Sequence, residues 1–256
     1  MKKIIPLTQF NIQRPEKILY HLSISTFKNF FDSLKGERLK SFLLRIDEIL
    51  EKNNIVYEYV DLTEEKYLEW LPYYEAKMNE HGHELIATKE WYKEETRKGF
   101  SIKALFFYRD KKMVGSGIMA FKENKVFLAF RATDRITISH KSFGNLGCVT
   151  DFIRLRLICK EGNIKTVINR SRNIFGGDTT LGYLEFRLRF GYKPRPNLGA
   201  DFSDTVPTND KGFILFYGIH NTEFVLFLLQ PKGQKNEEHF KNIPILSEIP
   251  FKKIFY

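Results

Sequence analysis

Cysteine is nearly absent: Cys148 and Cys159 are the two thiols in 256 residues. That excludes a disulfide framework and makes a reducing cytoplasm the default expectation. Long apolar runs are missing too. The most apolar stretch, GFILFYGIHNTEFVLFLLQ, is broken by His220, Asn221, Thr222 and Glu223, so it reads as two strands and a turn, with no membrane span. The start, MKKIIPLTQFNIQRPEK, holds too few apolar residues in a row for a signal peptide. No fixed-period repeat, low-complexity tract, Walker loop or Ser-His-Asp arrangement is visible.

What the chain does have is positive charge, unevenly spread. The net charge is +10, and from Arg131 to Arg195 there are thirteen Lys or Arg against five Asp or Glu, a local 13 − 5 = +8. Such an excess implies an anionic partner: nucleic acid, a phosphorylated cofactor or an acidic lipid surface. A generally basic surface is the alternative, and charge alone does not decide between them. Apolar and charged contents of 43% and 28% fit a globular chain long enough for a substantial core.

The periodicities order the elements. Residues 25–54 are helical with an interruption at Gly36, and IVYEYVDL alternates as a strand. TEEKYLEWLPYYEAKMNEHG starts at a Thr63 cap, ends at Gly82 and carries Pro72, which predicts a kink or a break. A short helix capped by Thr88 stops at Gly99. SIKALFFYRD, KMVGSGIMAFK and KVFLAFRATD then form an antiparallel meander through the turns RDKK and KENK. A helix from Leu146 to Lys160, a strand IKTVIN, a helix near 178–190 and the last strand pair follow. This order predicts an α/β fold, a mixed and mostly antiparallel sheet with helices on both faces. The expected division is an N-terminal helical segment over 1–54, a main domain over 55–230 and an extended tail over 231–256.

Four stretches carry candidate chemistry. In SFGNLGCVTD, Gly144, Asn145, Leu146 and Gly147 open a helix, where backbone N–H groups and the dipole favour an anion; a plain turn is the alternative. It is not a Rossmann fingerprint, because the glycine spacing is wrong and the preceding strands are antiparallel. NRSRNIFGGD offers Asn169, Arg170, Ser171, Arg172 and Asn173 as amide and guanidinium donors, or else a solvated loop. In NEHGHE, His81 and His83 at i, i+2 around a glycine are not a helical zinc pair, so no metal is expected and a rim loop is the better reading. Cys148 and Cys159 lie three helical turns apart on one face, which favours packing over catalysis.

The fourth stretch is LGYLEFRLRFGYKPRP. Leu181, Leu184 and Leu188 mark one face of a helix ending at Gly191, and Phe186 and Phe190 a second. Glu185 and Arg189 form an i, i+4 pair in the favourable order. Arg187 stands in the middle of this two-sided apolar helix.

The element order is similar to that of the GNAT acyltransferases, and Phe186-Arg187 ahead of Gly191 resembles the helix-closing Phe-Lys…Gly signature of the FemAB-like branch. FFDSLKGERLKSFLLRIDEI also resembles the helix that precedes the catalytic half there. The resemblance spans roughly 27–230 with a single GNAT repeat, where many relatives carry two. Arginine replaces the family's lysine, and the Gln/Arg-x-x-Gly-x-Gly/Ala phosphate loop of ordinary GNAT acetyltransferases is absent.

The resemblance implies an N-acyltransferase. It would use acyl-CoA as co-substrate, bind no permanent cofactor, and act on an amine of a small molecule, peptide or glycan. An aminoacyl-tRNA donor, or a non-catalytic domain binding RNA or a phosphorylated ligand, are the alternatives. By the resemblance the donor pyrophosphate docks at Gly144–Gly147, and Asn169, Arg170, Arg172 and Asn173 line the donor slot. Arg187 takes the position where GNAT enzymes often hold a tyrosine that protonates the leaving thiolate. A guanidinium, with pKa above about 12, cannot do that, but its fork of donors can hold a phosphate or stabilise a developing anion. A surface pair with Asp178 or Glu185 is the structural alternative. Asp134 and His140, just past the third meander strand, are the nearest candidate bases, ahead of Glu185.

Overall fold

The structure, a computed structural model, describes residues 3–138, 144–176, 181–199, 201–208, 212–234, 246 and 249–256. In chain order the strands and helices begin with β1 (Ile4–Pro6), β2 (Ile12–Pro15) and β3 (Lys17–Ser23), then α1 (Phe27–Ser33), α2 (Glu37–Leu44), α3 (Ile46–Lys52), β4 (Ile55–Asp61), α4 (Glu64–His81) and α5 (Trp91–Arg97). The meander β5 (Ser101–Arg109), β6 (Lys112–Lys122) and β7 (Lys125–Thr133) leads to α6 (Leu146–Lys160), β8 (Thr166–Arg172), β9 (Phe175–Gly176) and α7 (Leu181–Arg189). The chain closes with β10 (Lys193–Pro196), β11 (Phe202–Ser203), β12 (Thr205–Pro207), β13 (Ile214–His220), β14 (Glu223–Gln230) and β15 (Phe251–Phe255). Among the described residues, no helix is long and apolar enough to cross a membrane.

Two compact units result, one from 1–22 with 169–256 and one from 23–168. This corrects the expected division at 54 and 230. Residues 4–23 are not part of a helical segment: they form β1, β2 and β3 with one 3-10 turn at Thr8–Phe10, and in β3 Ile18, Tyr20 and Leu22 are buried with period two while their neighbours are not.

In the unit of 23–168, β4, β5, β6 and β7 pair antiparallel in sequence order. The turns are where expected, at Asp110-Lys111, both with positive φ, and at Glu123. Alternation assigns the faces. Ile102, Ala104, Phe106, Ile118 and Ala120 pack with Trp70 and Tyr74 of α4. Gly115 and Gly117 point to α6 instead. A Cβ on Gly117 would stand 2.6 Å from Arg154 Cδ, so its glycine is what lets α6 lie close. Arg156 of α6 is held by Asp47 of α3 and the Tyr57 hydroxyl of β4, placing α3 on the α6 side. Helices thus cover both faces.

Pro72 does not break α4, which runs through it for eighteen residues. The proline is exposed, as is Leu68 one turn earlier, so water can satisfy the Leu68 carbonyl that the missing N–H leaves unpaired. Thr63 caps α4 by accepting the Lys66 N–H, whereas the cap position of α5 is Glu90 and not Thr88.

In the other unit, β13 and β14 form a hairpin through Asn221-Thr222, both at positive φ. β2 and β9 add antiparallel to β13, β11 to β2, and β15 runs parallel to β14. β1 pairs with β12, and β10 pairs antiparallel with β3. Leu7, Ile12, Phe216, Phe227, Leu229 and Ile254 form its core. The tail, expected to be extended, ends in β15.

Candidate active site

In the unit of 23–168, the site is built around an irregular strand. The parallel pairing of β7 with β8 covers three pairs, Lys125↔Thr166 to Phe127↔Ile168, although β7 continues to Thr133. Its register with β6 then steps from Leu128↔Met119 to Phe130↔Ile118, leaving Ala129 as the extra residue of a β-bulge. A bulge bends its strand and re-aims the groups beside it. From Leu128 to Thr133 the main chain of β7 has β6 on one side and, among the described residues, no strand register on the other. Sequence reasoning missed this bulge, because nothing in KVFLAFRATD departs from alternation at Ala129.

The start of α6 lies next to this edge. Asn145 is its cap, Oδ1 accepting the Cys148 N–H at 2.8 Å, and the Leu146 N–H donates to the Ile136 carbonyl at 3.1 Å. The Leu146 N–H, one of the donors expected to meet an anion, and the Cys148 N–H in the same first turn are therefore engaged by the protein itself. Gly147 has no positive φ. It provides close approach, since a Cβ there would meet Asn145 Oδ1 at 3.3 Å and Arg131 Cζ at 3.5 Å.

Arg131, half-buried on β7, donates to the Gly147 carbonyl at 3.3 Å and to Asp151 Oδ2 at 2.5 Å. Asp151 is 1% exposed, and its other oxygen accepts from Arg154, itself 2% exposed and bonded to the Phe130 carbonyl at 3.1 Å. This Arg-Asp-Arg cluster ties α6 to the bulged strand. It places one guanidinium face of Arg131 at the helix start. Arg131 and Asp151 were not singled out in the sequence, because 20 residues separate them and only the docking of α6 joins them.

Asp134 accepts from Lys77 Nζ at 2.9 Å and from the Tyr73 hydroxyl at 3.3 Å. Burial, with Asp134 next, pushes the Tyr73 phenol well up, so it stays a donor to the carboxylate. His140 lies outside the described residues. Burial likewise pushes the Cys148 thiol up, and Cys159 to about 11, as expected of packing residues. His81 and His83 lie edge to face at 5.8 Å, and among the described residues no group of three or more His, Cys, Asp or Glu is placed to hold a metal.

The remaining candidates sit in the other unit. Asn169 is buried and Arg170 and Arg172 are exposed along β8. Asn173, expected in the donor slot, is a structural bracket. Its Nδ2 donates to the Pro15 and Tyr217 carbonyls at 2.7 and 2.5 Å, and its Oδ1 accepts the Tyr217 N–H at 2.7 Å. Those bonds use both Nδ2 donors and one acceptor position of Oδ1 on a fully buried side chain, which ties it to the backbone.

Arg187 is 2% exposed, not on the surface, and Glu185 pairs with Arg189 at 2.7 Å; Asp178 lies outside the described residues. The Arg187 guanidinium stacks on the rings of Tyr183, Tyr192 and Phe186 at 4.6, 5.1 and 5.5 Å and donates to the Tyr183 hydroxyl. The chain makes this cage by ending α7 at Gly191, where φ is 80°. The reversal brings Tyr192 back over the last turn, its N–H bonding the Arg187 carbonyl. Tyr20, fully buried, packs edge to face on Tyr192 at 6.4 Å. Burial raises its phenol far above the ordinary range, with Tyr217 and Tyr183 adding to it and Arg187 opposing.

No protein-family model and no curated protein matches the sequence. Solved structures do. FemX superposes with a TM-score of 0.50 at 10% identity, over 75% of this chain and 62% of FemX. The fold is GNAT-like. A tandem GNAT protein from the clavulanic acid biosynthesis pathway gives 0.43 at 11% identity, over 73% and 53% of the two chains. L-PGS from Bacillus licheniformis gives 0.43 at 8%, over 73% and 61%. The chain therefore spans less than two thirds of these proteins, and at such identities the likeness is one of fold.

Proposed function

We propose that this GNAT-like chain is an acyl or aminoacyl transferase, and specifically an N-acyltransferase that sets an acyl thioester, acyl-CoA first, beside an amine. The observation that carries the reading is the β7 edge. Past the end of the β8 pairing, the side of β7 from Leu128 to Thr133 that faces away from β6 has no strand partner among the described residues, and the Ala129 bulge re-aims it, beside a helix start that Gly147 lets Arg131 approach closely. Such an edge suits the amide-bearing arm of a pantetheine, and Arg131 suits its phosphates. The amine attacks the thioester carbonyl, the C–N bond forms, the C–S bond breaks, and the amine's proton leaves for a base while the thiolate is protonated. Alignment and oxyanion stabilisation supply most of the rate. For Asp134 to take the proton, the Lys77 ammonium has to give way; His140 is the other candidate. Asn169, Arg170 and Arg172 as donor ligands and Arg187 as anion stabiliser lie in the other unit and are candidates that the resemblance alone supports.

Binding of a donor adds RT ln(1 + [L]/Kd) to stability. At a hundredfold excess over Kd, CoA or an acyl-CoA is expected to raise the Tm by roughly 5–10 °C. No shift with any CoA species at about 1 mM, the upper end of ordinary substrate affinities, argues against the reading. Gly147→Ala is expected to weaken acyl-CoA binding about tenfold with the Tm kept or raised, because Ala suits a helix while its Cβ crowds Asn145 and displaces the Arg131 guanidinium from the helix start. Unchanged affinity would move the pyrophosphate elsewhere.

The exposed Arg170, Arg172, Lys193 and Arg195 favour a second reading, in which tRNA is the donor or RNA the ligand. A salt titration separates the two. RNA affinity falls steeply with log[salt] in proportion to the phosphates contacted, and acyl-CoA affinity far less.

A further inference from the structure

The unit of 1–22 and 169–256 contains a cavity of 590 Å³ that the donor reading does not use. Its volume lies within the range of about 300–1,000 Å³ common for small-molecule sites. The walls are apolar: Leu188 and Tyr192 from the end of α7, Tyr217 from β13, Leu226 from β14 and Phe251 from β15. Three exposed charges stand at its margin, Lys193, Lys252 and Glu223.

The walls are held before any ligand arrives. Tyr192 is pinned against the Arg187 guanidinium, the Tyr217 backbone is bracketed by Asn173, and the Tyr217 ring stacks on Phe224 at 5.2 Å. Leu226 and Phe251 are register partners in the β14–β15 pair. A rigid wall does not have to be ordered on binding, which lowers the entropic cost.

The margin fixes the sign of the ligand. Among the described residues neither Lys193 nor Lys252 is in an ion pair; Lys252 Nζ rests 2.9 Å from the Nδ1 of His220. Two ammonium groups against one carboxylate leave one net positive charge. We infer that this cavity binds a medium-chain carboxylate, its alkyl chain against the apolar walls and its single negative charge between Lys193 and Lys252. The inference stands apart from the β7-edge donor site, which lies in the other unit; of the residues named for the second reading it shares Lys193.

Calorimetric titration of the full chain with decanoate and with decanol tests it. Decanoate is expected to bind saturably at one site and decanol at least about tenfold more weakly. K193E/K252E, on the exposed margin, is expected to weaken decanoate about tenfold or more and to leave decanol unchanged. Leu188→Trp, at a half-buried wall position, is expected to abolish both while the circular dichroism of both variants stays that of the parent. Absence of saturable decanoate binding overturns the inference. So does equal affinity for acid and alcohol, or binding that survives the charge reversal and the filled wall. CoA-induced stabilisation, measured on the same variants, reports separately on the donor reading.

Discussion

Arg187→Ala is expected to lower turnover, measured as thiol release from acyl-CoA with an acceptor amine, by two to three orders of magnitude. That is the usual effect, roughly 2.7–4 kcal/mol, of losing one preorganised donor to a developing anion. The Tm should fall as well, because this side chain is not in a wet site. It fills a cage of three rings, and emptying a buried, stacked position costs on the order of 2–4 kcal/mol. Arg187→Lys should recover part of the turnover by keeping the charge, and less of the stability, because an ammonium lacks the flat face that stacks. Tyr183→Phe removes one hydrogen bond and keeps the ring, so it should cost only about 1 kcal/mol and little turnover. Normal turnover per folded molecule in Arg187→Ala, with a lowered Tm, would make the residue a pillar of the α7 turn and nothing more.

Asp151→Ala is expected to be the most destabilising single change near the β7 edge. The carboxylate lies between two guanidinium groups, and its loss leaves the Arg154 charge buried without it. Breaking a buried ion pair from one side costs about 3–5 kcal/mol, or a Tm lower by roughly 10 °C for a chain of this size. Asp151→Ala/Arg154→Met removes the charge together with its partner and should restore much of that loss. A single variant within about 1 kcal/mol of the parent in urea unfolding would show that the cluster is solvated and contributes little. If the acyl-CoA reading holds, Asp151→Ala should also weaken donor binding, since Arg131 loses the contact that orients it.

The elements of this fold were determined by local rules. Period-two burial, the Asp110-Lys111 and Asn221-Thr222 turns, the Asn145 cap and the Gly191 stop are each set by residues within a few positions of one another. The meander, the bounds of α6 and the end of α7 could therefore be read from the sequence. So could the ion pair of Glu185 and Arg189, which needs only one helical turn.

The site depended on partners far apart in the chain. Pro72 stayed inside α4 because the face it occupies is exposed, and Asn173 became a bracket because Pro15 and Tyr217, 158 and 44 residues away, present bare backbone groups to it. The Ala129 bulge is a mismatch between two strands, invisible in either alone. The sequence marked Arg187 as out of place on an apolar helix. That its guanidinium lies over the rings of both Tyr183 and Tyr192 was decided only by the chain reversing at Gly191, because placing a cation over two rings needs the turn that brings the second ring back.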